Sequence, residues 1–291
     1  MVKSTCIALA IMVISIGSLH AAQYECPSSW LGNFQGNRGA KNWEKGNLDV
    51  AEKQTRKAIE HDPECSMWHQ NLGFILESKG RIDEASRSWH KSMEVDRSWC
   101  NGYKTGSLLK LGEYYLFQVK DYGKSISNFE AALSMVKAEE VDGRTRSRIY
   151  LYLSHNYTEP NTPFYDLDKA MELKDKALAY DPGNLIIEAS IASVLVKQGK
   201  FEEAKAKIAE ILRDQGKSSN PNPGVYGYLA FVYSQMNDPE KVAYFIEMAM
   251  DMHPSQAEYL LSELDGDFEK VATSNVMKPM IEKAKVIQRS K

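Results

Sequence analysis

A spacing of 34 residues constrains this chain more than any single motif in it. Gly39, Gly46, Ala51 and Glu60 recur 34 residues later as Gly73, Gly80, Ala85 and Glu94, and Asp62-Pro63 is answered by Asp96-Arg97. A fixed period of this length marks a unit that buries its apolar face only against its neighbours, so the architecture is a stack of like elements. The segment from Asn71 to Val95 shows the unit. Leu72, Gly73 and Leu76 line one face of a first helix, Lys79-Gly80-Arg81 turns the chain, and a second helix begins at Asp83. Gly73 and Ala85 are small because the two helices of a hairpin approach closely there. Gly80 sits where the first helix must end, in a left-handed backbone that glycine takes without steric cost.

These residues resemble the tetratricopeptide-repeat family. Its pattern sets a large residue at position 4, Leu-Gly or Leu-Ala at 7 and 8, an aromatic at 11, Ala at 20, an aromatic at 24, Ala at 27 and Pro at 32. The last copy matches most clearly, with Tyr226, Leu229, Ala230, Tyr233, Ala249 and Pro254 in place and Val242 and Ile246 departing from it. The resemblance implies an all-α solenoid: about six hairpins in a right-handed superhelix, near residues 32–65, 66–99, 105–139, 147–184, 185–218 and 223–256, closed by capping helices over 257–291. Three copies are irregular. The first carries Gly32, Gly36 and Gly39, each of which weakens a helix by roughly 1 kcal/mol relative to alanine, so it is expected to fray or to serve as a polar cap. The third has one extra residue, assigned to its turn. The fourth is stretched by Glu159 to Asp166, whose Pro160 and Pro163 exclude it from either helix.

In the family the first helices line a concave groove. The resemblance carries that role to Trp43, Met67, Gln70, Phe74, Leu109, Phe117, Leu151, His155 and Phe231, a set rich in large apolar side chains. It implies a peptide segment, extended or helical, docking by apolar anchors with Gln70 fixing its register. The Lys and Asn set by which some members grip chaperone tails is not reproduced, since Gly36, Gln70, Ala40 and Phe74 stand at its places.

Composition narrows the remaining classes. The 36 Lys and Arg nearly balance 39 Asp and Glu, so the net charge of −3 predicts no long-range attraction to nucleic acid or to anionic membranes. Lys3, the apolar run Cys6 to Ile16 and the small or polar Gly17 to Ala22 have signal-peptide anatomy, with cleavage expected near Ala22. That places the mature chain in an envelope compartment such as the periplasm, and an uncleaved segment would instead tether it. No other stretch is long and apolar enough to span a bilayer. Export leaves Cys26, Cys65 and Cys100, for which one bridge is the simplest outcome. Cys65 with Cys100 is the first choice, Cys26 with Cys65 the next, and three thiols the remaining alternative.

No catalytic or metal motif is found: there is no HExxH, CxxC, phosphate-cradling glycine loop or GxSxG elbow, and no cofactor is implied. His61, His69, His90 and His253 read as surface residues. Asn156-Tyr157-Thr158 satisfies the glycosylation pattern, but Tyr157 is expected inside the fourth hairpin. The sequence therefore points to a non-enzymatic scaffold or adaptor for protein partners. The alternatives are a chaperone for one exported client and an accessory subunit of a secretion, pilus or envelope-polymer machine.

Overall fold

A computed structural model describes residues 29–95, 101–135, 143–219, 221–254, 256–262, 264, 266 and 268–289, with the backbone alone at 101–103 and 259. Residues 1–22, Cys26 and Cys100 lie outside them, and with them the signal segment and both disulfide pairings. Among the described residues the chain is helical without strands. The helices are α1 (Trp30–Glu44), α2 (Leu48–His61), α3 (Ser66–Ser78), α4 (Ile82–Glu94), α5 (Asn101–Glu113), α6 (Tyr122–Met135), α7 (Gly143–His155) and α8 (Leu167–Tyr180). They continue as α9 (Leu185–Lys197), α10 (Phe201–Lys217), α11 (Pro223–Gln235), α12 (Pro239–Met252), α13 (Gln256–Ser262), α14 (Glu269–Ala272) and α15 (Met277–Arg289). No described helix is long and apolar enough to cross a membrane.

The chain divides into two compact units, Ser18–Tyr152 and one holding Leu153–Lys291, with the boundary inside α7. In the first unit α1 pairs with α2, α3 with α4 and α5 with α6, while α2 packs on α3 and α4 on α5. The hairpin contact is small against large. A side-chain carbon on Gly73 would fall 2.8 Å from Trp89 Cε2 and closer to two other indole atoms, and one on Gly112 would fall 2.6 Å from Phe129 Cε1. The glycines of α1 belong to the same scheme. Gly36 receives the Trp68 ring and Gly39 the Thr55 hydroxyl, so α1 runs unbroken from Trp30 to Glu44. The propensity loss that predicted fraying is outweighed by packing that only glycine allows. Ser29 completes the helix, its Oγ accepting from the Gly32 N–H at 3.1 Å.

The extra residue of the third hairpin is not in its turn. It is absorbed by a π-helical stretch, Tyr114–Val119, that ends α5, and the Lys120 N–H closes it on the Tyr115 carbonyl. A π-turn takes up one residue without shifting the helices it joins, so Ser125 still meets Gly112, its Oγ donating to that carbonyl at 3.0 Å. Lys120 then occupies the left-handed position, φ 59°, that Gly80 fills in the second hairpin at φ 72°. A side chain there costs about 1–2 kcal/mol. Lys120→Gly is expected to raise stability by about 0.5–1 kcal/mol, the gain being reduced by glycine's freedom in the unfolded chain. A urea midpoint below that of the parent would contradict this.

In the second unit α9 pairs with α10 and α11 with α12. Asn184, Asn222 and Asp238 cap the helices they precede, their side chains accepting from Ile186, Gly224 and Lys241 N–H groups at 2.9–3.0 Å. Pro223 and Pro239 follow at the first helical position, where a missing N–H costs nothing. Leu260, Phe268, Val271, Met277 and Ala284 of the last helices join one core with α9 to α12. Lys283 adds to this packing, its Nζ donating to Asp251 at 2.7 Å and Glu247 at 3.1 Å on α12.

Candidate partner-binding face

In the first unit, the first helices of successive hairpins present an aromatic row. Trp43, at the end of α1, stacks on Phe74 of α3 with centroids 5.9 Å apart, and its Nε1 donates to Ser78 Oγ at 3.0 Å. Phe74 meets Trp89 edge-on at 6.3 Å. Phe117 lies in the π-turn and packs edge-on against Tyr152 of α7 at 5.8 Å. Trp43, Met67, Phe74, Phe117 and Leu151 are all half-buried, with apolar surface left to offer. Gln70 and Leu109 are withdrawn from that set, being 4% and 1% exposed. Gln70 fills the space above Gly106, and Leu109 is core, so neither can set the register of a partner.

Beside this row sits a charged cluster that reading the helices for apolar anchors misses. Lys110 Nζ donates to Glu77 at 3.0 Å and to Glu113 at 2.9 Å, joining α3 to α5. Burial alone would lower the Lys110 pKa, but Glu113 and Glu77 more than offset it and hold it above its ordinary range. Burial raises the Glu77 carboxyl, partly countered by Lys110. Burial likewise raises the Tyr152 phenol. The signal available in sequence was the spacing: Glu77 and Lys110 stand 33 residues apart, about one repeat, so opposite charges fall on neighbouring first helices.

In the second unit, His155 ends α7 and is kept neutral, its pKa well below the ordinary value because burial is reinforced by Lys174 and Lys197. Phe231 of α11 is half-buried and edge-on to Tyr228 at 5.6 Å. The insertion after α7 is anchored by Lys197 Nζ, which donates to the Thr158 carbonyl at 2.8 Å. Asn156 is fully buried there, so the glycosylation pattern it opens is closed to a glycan in the folded chain. His69 also differs from its expected surface place. It is buried on α3 with Nε2 2.7 Å from the Pro63 carbonyl, and burial lowers its pKa. Cys65 is buried immediately ahead of α3.

No protein-family model and no curated protein matches the chain. Solved structures do. PilW, described as a widely conserved type IV pilus biogenesis factor, matches with a TM-score of 0.58 at 12% identity over 84% of this chain and 100% of its own. PilF of Pseudomonas aeruginosa matches with a TM-score of 0.55 at 16% identity over 80% and 98%. MamA of Desulfovibrio magneticus RS-1 matches with a TM-score of 0.55 at 16% identity over 66% and 99%. At these identities the likeness is one of fold.

Proposed function

We propose that this chain, whose fold is that of the tetratricopeptide repeats, is a non-enzymatic scaffold that binds a peptide segment of a protein partner through the aromatic row of its first unit. The observation that carries the reading is that Trp43, Phe74 and Phe117 recur on first helices of successive hairpins and stay half-exposed, while the cores of the second and third hairpins are already filled by Trp89 and Phe129. Rings in register along a face are anchors for a chain lying across it. The Glu77–Lys110–Glu113 cluster adds fixed polar partners beside them, which favours a segment that mixes apolar and hydrogen-bonding side chains. Export by the N-terminal segment places that partner in the cell envelope, where the scaffold acts as an adaptor in assembly or secretion. The role of PilW as a type IV pilus biogenesis factor is in keeping with an accessory subunit of such a machine.

Phe74→Glu with Phe117→Glu is expected to reduce partner capture from the native envelope at least tenfold. Val286→Glu, on an exposed site of α15, should leave capture unchanged. Melting temperatures are measured in parallel, because Phe74 also touches Trp89. Equal recovery of the same partner by the parent and a folded double variant would overturn the assignment.

A further inference from the structure

The first hairpin carries a second surface unlike the aromatic row. A terminal repeat ordinarily shows water a polar outer side. Here Trp30, Leu31, Phe34 and Val50 are 75%, 44%, 44% and 44% exposed. Trp30 stacks on Phe34 at 5.6 Å, and the Arg38 guanidinium lies 5.5 Å over the Phe34 ring, so one stripe of α1 runs from apolar to cationic. The same spacing continues it to Lys41 and Lys45, and α2 repeats the pattern with Val50, Lys53 and Lys57. All five cations are exposed, and none of the five is in an ion pair among the described residues. Elsewhere lysines are commonly paired, as Lys79, Lys110, Lys169, Lys205 and Lys283 are. The acids exposed on this hairpin are Glu44, Asp49, Glu60 and Glu64, and Asp49 already holds Lys79. The net charge of −3 averages this patch away.

We propose that the outer face of the first hairpin docks on an anionic lipid surface, Trp30, Leu31 and Phe34 entering the interfacial layer while Arg38, Lys41, Lys45, Lys53 and Lys57 meet the headgroups. Unpaired cations select a negative surface over a second copy of this hairpin, which would bring like charges together. Stacked aromatic and aliphatic side chains select a bilayer over a nucleic acid, because they gain by leaving water for the headgroup boundary. Export through a membrane delivers the hairpin beside such a surface, since α1 begins eight residues after the expected cleavage site at Ala22.

The test uses the chain purified from an exporting host, with its N-terminus read by intact mass. It is sedimented with vesicles of phosphatidylglycerol and phosphatidylcholine in equal parts, and with phosphatidylcholine alone. The parent is expected to bind the anionic vesicles at least tenfold more strongly than the neutral ones. Trp30→Ala with Phe34→Ala, and Lys41→Glu with Lys53→Glu and Lys57→Glu, should each lower that binding about tenfold with helical circular dichroism retained. Three results would overturn the proposal: no preference for anionic vesicles, folded variants that bind as the parent does, or a concentration-dependent dimer that the aromatic pair abolishes while vesicles are ignored.

Discussion

Replacing Lys174 by methionine is expected to stabilise the second unit by about 4 kcal/mol at pH 7. In the second, third, fifth and sixth hairpins the residue four places after Ala85, Ser125, Ala204 and Val242 is a large apolar one that fills the core: Trp89, Phe129, Ile208 and Ile246 are at most 2% exposed. The fourth hairpin follows Ala170 with Lys174, which is 1% exposed and meets no carboxylate among the described residues. Burial, with Lys197 adding like-charge repulsion, lowers its pKa to about 7 from an ordinary 10.5. The fold therefore binds this proton less tightly than the unfolded chain does. The penalty is present in full below pH 7, declines as pH rises from 7, and is gone above 10.5. Lys174→Met removes the charge and keeps the length. The gap between variant and parent in urea should shrink from about 4 kcal/mol at pH 7 to about 1 kcal/mol near pH 10. A gap that is absent, or constant with pH, contradicts the buried-charge account.

Trp89→Ala is expected to cost about 3–5 kcal/mol, because it empties an indole from the centre of the second hairpin. The companion change separates packing from helix propensity by sign. Alanine at Gly73 should gain about 1 kcal/mol from propensity alone. Its methyl group would instead meet the Trp89 indole, and such overpacking costs about 1–3 kcal/mol. Gly73→Ala is therefore expected to destabilise the parent and to stabilise Trp89→Leu, where the ring is gone. Stabilisation in both backgrounds would mean that the hairpin contact does not require glycine.

The same contact explains what the sequence discloses. Gly73 against Trp89 and Gly112 against Phe129 are pairs in which one position must be small and the other large, so the period survives in the letters and the hairpins can be read from it. Gly32, Gly36 and Gly39 misled because propensity is local, whereas their partners Asp62, Trp68 and Thr55 lie on other turns and helices. The extra residue of the third hairpin is visible as a count, but a count does not tell a turn from a π-helical stretch. Lys174 is inconspicuous in the sequence because Ala170 and Ala177 on either side suit a tightly packed helix, and only the folded hairpin encloses the position between them. For the binding face, ring positions were legible from the helical register, and the burial of Gln70 and Leu109 was not, since it depends on neighbouring helices. Glu77 and Lys110 were missed for the same reason: the hydrogen bond that joins them exists only between stacked hairpins.

In the proposed complex one partner lies across the first unit's aromatic row. A photoreactive amino acid placed at Trp43, at Phe117 and, as a control, at Val286 tests it in the native envelope. The same protein is expected to be crosslinked from positions 43 and 117 and to be absent from 286. Equal adducts from all three positions, or different proteins from 43 and 117, would contradict it.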